Sequence, residues 1–270
     1  MAKAKRNALP LGQRILLVVQ RYGWVAILLA VCVLTLSAIA ARESGKIATV
    51  TTAVVPLADG KQLMTDEDVL DVLRRSFTKS LDSLRLTDVD IERVEQVLEG
   101  QPFVSDADAF IDADLGLNVT VTQRVPLLRI MAENGQNYYF DEDGIRMPLS
   151  ESHTPRVVVA TGNILPWTND FLGDPDHQLS HLIELARYLR EDEFLHALVE
   201  QIDVMNQGEF RLAPKVGDQV IYLGAYERER SQQRLQKLKT FYREGLPYEG
   251  WRKYEAFDLR YADQVVARKR

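Results

Sequence analysis

The chain has 270 residues, 46% of them hydrophobic and 27% charged, with a formal net charge of −6. That balance fits a folded globular chain and excludes a disordered one. The stretch through Arg21 holds Lys3, Lys5, Arg6, Arg14 and Arg21 and no acidic residue, so residues 22–270 carry −11, which argues against nucleic acid and anionic lipid headgroups as partners of that part.

Tyr22 to Ala41 is an apolar run bracketed by Arg21 and Arg42. About 20 helical residues at ~1.5 Å rise span ~30 Å, the hydrocarbon thickness of a bilayer. The basic lead-in predicts a cytoplasmic tail over 1–21, a transmembrane helix over 22–41, and the remainder outside. Ala38-Ile39-Ala40 also fits a signal-peptide cleavage site. The long lead-in and the length of the apolar run favour an uncleaved anchor. The single cysteine, Cys32, lies inside this run, so the remainder has neither disulfide nor thiol chemistry.

Beyond the anchor, Ala48 to Val55 is β-branched and predicts a strand. Thr65, with Asp68 three residues on, starts a helix carrying Val69, Leu70, Val72, Leu73 and Phe77 at helical spacing. A second helix is predicted from Asp90, with Gly100 at the C′ position and Pro102 as its stop. Val104 to Ile111 and Leu117 to Thr122 read as strands joined by the Asp112–Gly116 turn. The order over 48–124 is β-α-α-β-β.

From Val125 to the C-terminus short strands and tight turns take over. Pro126 interrupts the chain, and Glu133-Asn134-Gly135 and Asp141-Glu142-Asp143-Gly144 are turn chemistry. Arg156 to Thr161 predicts a buried strand. Leu179 to Leu189 and Phe194 to Val199 predict helices, and Ile202–Val204, Glu209–Leu212 and Gln219–Leu223 a meander of strands. Arg230 to Glu244 predicts an amphipathic helix stopping at Gly245 and Pro247, and Tyr254 to Ala267 one long terminal strand. The expected class is α+β.

No G-x-S-x-G, H-E-x-x-H, P-loop, G-x-G-x-x-G or C-x-x-C motif occurs. His177 and His181 are four apart on a predicted helix and could face one metal, but Asp174 and Asp176 ahead of them fit an ordinary solvated helix start. The Asp112–Gly116 and Asp141–Gly144 turns each hold half of a calcium loop without its remaining ligands. No cofactor or metal is expected, and a binding module is favoured over an enzyme. The end strand is the candidate surface, because a chain-terminal strand often lies at a sheet edge with unpaired main-chain groups. Phe257, Leu259 and Tyr261 share one face, Arg260 points the other way, and Gln264 and Val265 extend the strand. An internal strand with core aromatics fits the same pattern equally well.

The chain resembles the FtsQ/DivIB family of cell-division proteins, most closely its versions from Bacteroidetes. The resemblance rests on the basic tail and single anchor, and on Ile91-Glu92-Arg93-Val94-Glu95-Gln96-Val97-Leu98 leading to Gln101-Pro102-Phe103-Val104. It continues in Val121-Thr122-Gln123-Arg124-Val125-Pro126, in Tyr139-Phe140-Asp141-Glu142-Asp143-Gly144, and in Asp258-Leu259-Arg260-Tyr261 near the end. It implies a POTRA-like domain over 48–124 and a β domain over 125–270. It also implies a single-pass inner-membrane protein at the division septum that assembles the divisome without catalysis. Partners implied are FtsB- and FtsL-like proteins, by strand addition at the last strand through Tyr261, Arg260 and their neighbours, and other septal proteins through the POTRA-like domain. After Tyr261 the chain departs from the family: Ala262-Asp263-Gln264-Val265-Val266 replaces a glycine- and tryptophan-containing continuation, and the end is Arg268-Lys269-Arg270. Two other readings remain. A membrane-anchored wall hydrolase would need a pocket with paired carboxylates, one of raised pKa. An envelope-assembly factor built on POTRA-like modules is disfavoured by the single anchor and the lack of a barrel-length strand series.

Overall fold

The structure, a computed structural model, describes residues 24, 25, 27–37, 45–77, 84, 85, 88–261 and 264–270. Tyr22 and Ala41, the expected limits of the apolar span, lie outside the described residues. Residues 27–37 are helical and expose Ile27, Leu28, Leu34 and Leu36. Among the described residues no helix is long and apolar enough to cross a membrane.

The first sheet has three strands in the order β1-β3-β2: β1 (Thr49–Val55), β2 (Val104–Ile111) and β3 (Gly116–Gln123). β1 runs parallel to β3, and β2 antiparallel to it. Helices α1 (Asp66–Ser76) and α2 (Ile91–Glu99) lie between β1 and β2 in sequence and bury Val69, Leu73, Val94 and Leu98 against Leu117, Val119 and Val121. The Thr65 signal forms a full capping box: its hydroxyl accepts from the Asp68 N–H, and the Asp68 carboxylate accepts from the Thr65 N–H at 2.7 Å. Asp90 caps α2 by accepting from the Arg93 N–H at 3.0 Å. Gly100 differs from the expected left-handed cap; its φ of −68° keeps it right-handed. The outer edge of β2 is partly covered, since the Glu95 carboxylate accepts from the Ala109 N–H at 2.9 Å.

A second sheet holds nine strands in the order β12-β11-β10-β9-β8-β7-β4-β5-β6. They are β4 (Pro126–Ala132), β5 (Asn137–Asp141), β6 (Arg146–Met147), β7 (Val158–Gly162), β8 (Val199–Val204), β9 (Glu209–Pro214), β10 (Val220–Ala225), β11 (Tyr254–Asp258) and β12 (Val266–Lys269). Pro126 opens β4, a strand-start position that needs no ladder N–H. Helices α3 (Gln178–Glu191), α4 (Glu193–Leu198) and α5 (Arg228–Thr240) build one core with these strands, through Leu182, Leu189, Leu195, Leu235 and Leu238 against Ile130, Ile202, Leu212 and Ile221. α5 does not stop at Gly245. A π-helical turn, Phe241–Gly245, carries it into α6 (Leu246–Glu249), where Pro247 occupies the first turn. Tyr242 and Leu246 stay buried along this continuation, so core packing extends the helix past its sequence stop.

Within the first unit the Gln123 amide accepts from the Leu63 and Met64 N–H groups and donates to the Val55 carbonyl. Other contacts join the two sheets. Arg124 forms an ion pair with Asp141 at 3.0 Å, both side chains largely buried. The Ser150 hydroxyl donates to the Leu63 carbonyl, and His153 lies 3.2 Å from Asp59.

Candidate functional site

The expected single end strand is two strands. β11 and β12 pair antiparallel, Phe257 opposite Ala267 and Asp258 opposite Val266, with Leu259 to Val265 between them. β11 also pairs parallel with β10, so it is internal, and β12 is the edge of the sheet. This corrects two candidate residues. Phe257 and Leu259 are each 1% exposed and belong to the core. The Phe257 ring lies 5.3 Å from Phe241, 5.6 Å from Tyr242 and 5.9 Å from Tyr254, so it presents nothing to a partner. The reason is the layer above: the π-helical turn after α5 lays Phe241 and Tyr242 over this face of β11, while β10 closes the strand's far edge.

The other four candidates gather around the crossing from β11 to β12. Tyr261 is 52% exposed, Gln264 is exposed, and Val265 is half-buried against the core. Arg260 lies across β10. Its Nε donates to Asp258 Oδ1 at 2.9 Å and its terminal nitrogen to Oδ2 at 2.7 Å, a two-point grip, with Glu209 at 3.4 Å on the other side. The guanidinium sits 5.4 Å from the centre of the Tyr222 ring. Gly224 makes this possible: its φ is +83°, β10 bulges there, and a Cβ would stand 2.9 Å from Arg260 Cγ. The hydrogen bonds from Arg260 hold the Asp258 carboxyl below its ordinary range, and the same grip pushes the guanidinium pKa up. Arg260 is therefore a fixed cation with part of its surface open.

Asp258 lies in a row that register draws across eight of the nine strands. Asn137, Met131, Thr161, Asp203, Arg211, Tyr222, Asp258 and Val266 lie opposite one another from β5 to β12. Paired residues share a face, so this is the face away from the helices, and it is polar. Arg211 pairs with Asp203, which also accepts from the Thr161 hydroxyl. At the C-terminal ends of β10 and β11 a groove of about 890 Å³ opens, lined by Arg230, Arg234, Lys237 and Arg260 among others. A second, of about 590 Å³, shares Gln236 and Lys237 with it and reaches Phe241, Gln264 and Val265. The α5 cations and the β12 edge are the parts that sequence reasoning missed. Asp263 and Gln264 interrupt the alternation of the end segment and are the signal that could have divided it.

Histidines 177 and 181 do not form a metal pair. His177 caps α3, its Nδ1 accepting from the Leu179 N–H, and His181 packs on the Tyr226 ring. Among the described residues no group of three or more His, Cys, Asp or Glu side chains could hold a metal ion. Asp112 Oδ1 accepts from the N–H groups of Asp114 and Gly116 at 2.9 and 2.8 Å and so closes the β2–β3 turn itself. The carboxyls that depart from their ordinary value, Asp112, Asp192, Asp218 and Asp258, are all held down, the opposite of a poised general acid.

No curated protein matches the chain. The family described as FtsQ/DivIB, C-terminal related matches residues 125–268, a segment that begins one residue before β4 and ends inside β12. That match covers more than half of the chain and reaches all nine strands of the second sheet, and the chain accordingly belongs to this family of cell-division proteins, which are not enzymes.

Proposed function

We propose that the chain is a bitopic divisome assembly protein whose outer part scaffolds FtsB- and FtsL-like partners at the division septum. In this reading residues 1–21 are cytoplasmic, 22–41 cross the inner membrane, 48–124 form a POTRA-like domain that meets other septal proteins, and 125–270 form the β domain. A partner segment adds as a strand beside β12, and Arg260, Tyr261, Gln264 and Val265 flank its path. The observation that carries the reading is the place of β12, the outermost strand of a sheet all of whose strands the family match reaches. Main-chain bonds along such an edge give affinity, and the side chains beside it give specificity. The module requires no cofactor.

The test is binding of the full-length protein in micelles to the outer segments of its FtsB- and FtsL-like proteins, with Tyr261→Lys as the matched variant. Tyr261 is half exposed, so the substitution leaves stability within about 0.5 kcal/mol and weakens binding. Unchanged binding removes Tyr261 from the interface. Absence of binding by the folded wild-type protein refutes the scaffold role. A change in melting temperature comparable to that of a core substitution makes the tyrosine structural.

A further inference from the structure

We infer that the β12 edge selects an acidic extended segment of a partner protein. The inference rests on the reading of β12 as a strand-accepting edge and adds the chemistry of the strand it accepts. β12 and its end read Val266-Ala267-Arg268-Lys269-Arg270, three cations and no anion, in a chain whose residues 22–270 carry −11. Register distributes these cations over both faces. Arg268 lies opposite Ala256, on the face of Val266 and Asp258, whereas Lys269 lies opposite Tyr254, on the face of Ala267 and Phe257. The Arg270 N–H donates to the Lys253 carbonyl at 3.1 Å, which brings the Arg252-Lys253 pair beside the strand end.

Arg268 and Lys269 are exposed, and among the described residues neither stands within ion-pair distance of a carboxylate. Asp258, the nearest acid across the pairing, is already gripped by Arg260. Among the described residues Arg270 alone of the three stands in an ion pair, with Asp218, while Arg268 acts on Asp258 only from beyond contact distance. A basic edge discourages pairing with a second copy of itself, because like charges would stand opposite one another. A membrane surface reads charge on one side only, and here the cations flank an open main-chain edge on both. An extended peptide with carboxylates on two adjacent residues, which point to opposite faces, answers both cations and the edge together. Opposite-charge cross-strand pairs favour pairing by roughly 1.5- to 5-fold each, so two of them supply on the order of tenfold.

The test uses the full-length protein in zwitterionic nanodiscs and three fluorescent peptides of about ten residues, each alternating valine and threonine around two adjacent variable sites, one for each face. The sites carry glutamate, serine or lysine. The expected result is a glutamate peptide bound about tenfold more tightly than the serine one, a lysine peptide weaker than both, and a preference that shrinks at high salt. In the doubly substituted Arg268→Glu, Lys269→Glu protein the order reverses with the melting temperature unchanged, since both side chains are exposed. Backbone N-methylation of the glutamate peptide abolishes its binding. Equal binding of the glutamate and serine peptides overturns the inference and leaves the edge reading intact. Binding that survives N-methylation overturns it as well, because charge is then captured without strand addition. Failure of all three peptides to bind overturns the edge reading itself. Displacement of the bound peptide by phosphatidylglycerol vesicles, but not by phosphatidylcholine ones, reassigns the patch to lipid.

Discussion

Replacing Phe257 by alanine separates an internal β11 from a surface one. Phe257 is 1% exposed, and its ring meets Phe241, Tyr242 and Tyr254 at 5.3, 5.6 and 5.9 Å. Truncating a buried phenylalanine costs about 3–5 kcal/mol, through lost transfer energy and the cavity left behind. The aromatic contacts, worth roughly 0.5–1.5 kcal/mol each beyond area, place this site toward the upper end. In a unit of this size 1 kcal/mol lowers the melting temperature by about 2–4 °C, so the expected fall is roughly 6–20 °C. Thermal unfolding followed by circular dichroism measures it, with Tyr261→Lys as the exposed control. A Phe257→Ala protein that melts within about 1 kcal/mol of wild type yet loses its partners would refute the assignment, because the ring would then belong to the interface.

Three further substitutions test the supporting contacts. Asp258→Asn lowers the melting temperature at neutral pH. Its carboxyl is held below the ordinary value of 3.8 by Arg260, so its contribution is complete above that value and fades as pH falls through the lower folded one; a pH series of melts should show the gap to wild type closing below about pH 4. Arg124→Ala leaves Asp141, whose side chain is 7% exposed, without its cation. The expected cost is about 3–5 kcal/mol, and the double change with Asp141→Ala should cost less than the two single ones combined, as read from denaturant unfolding. Gly162→Ala, at a φ of +93° and with the Val204 carbonyl oxygen in the path of a Cβ, should lose more than about 2 kcal/mol and much of its soluble yield, seen by expression and melting.

Local chemistry was legible wherever a short segment decides its own conformation. Thr65 and Asp68 announce a helix start, and the structure returns the reciprocal cap. Val104 to Ile111 is a strand at the bounds its pattern marks. The stop at Gly245 and Pro247 failed because two local signals were outweighed by burial of Tyr242 and Leu246, which only a tertiary neighbour can supply. The grip of Arg260 was out of reach for a similar reason. It depends on Glu209 from β9, on Tyr222 from β10, and on the left-handed Gly224 that clears the space between them.

The end segment shows why alternation alone misleads at a sheet margin. A period of two tells which residues share a face, but it is silent on how many strands lie alongside. Phe257 and Leu259 alternate with Asp258 and Arg260 whether β11 has one neighbour or two. The answer came from the helical connection over Arg228–Glu249, which returns β11 parallel to β10 and leaves β12 to close the sheet. Charge carried the missing information. A strand with a buried face keeps its cations on the other face. Arg268 and Lys269 are consecutive, so they point to opposite faces, and of the two end strands only β12 bears cations on both. That asymmetry marks β12 as the margin, and it is the same feature that equips the margin to discriminate among the strands offered to it.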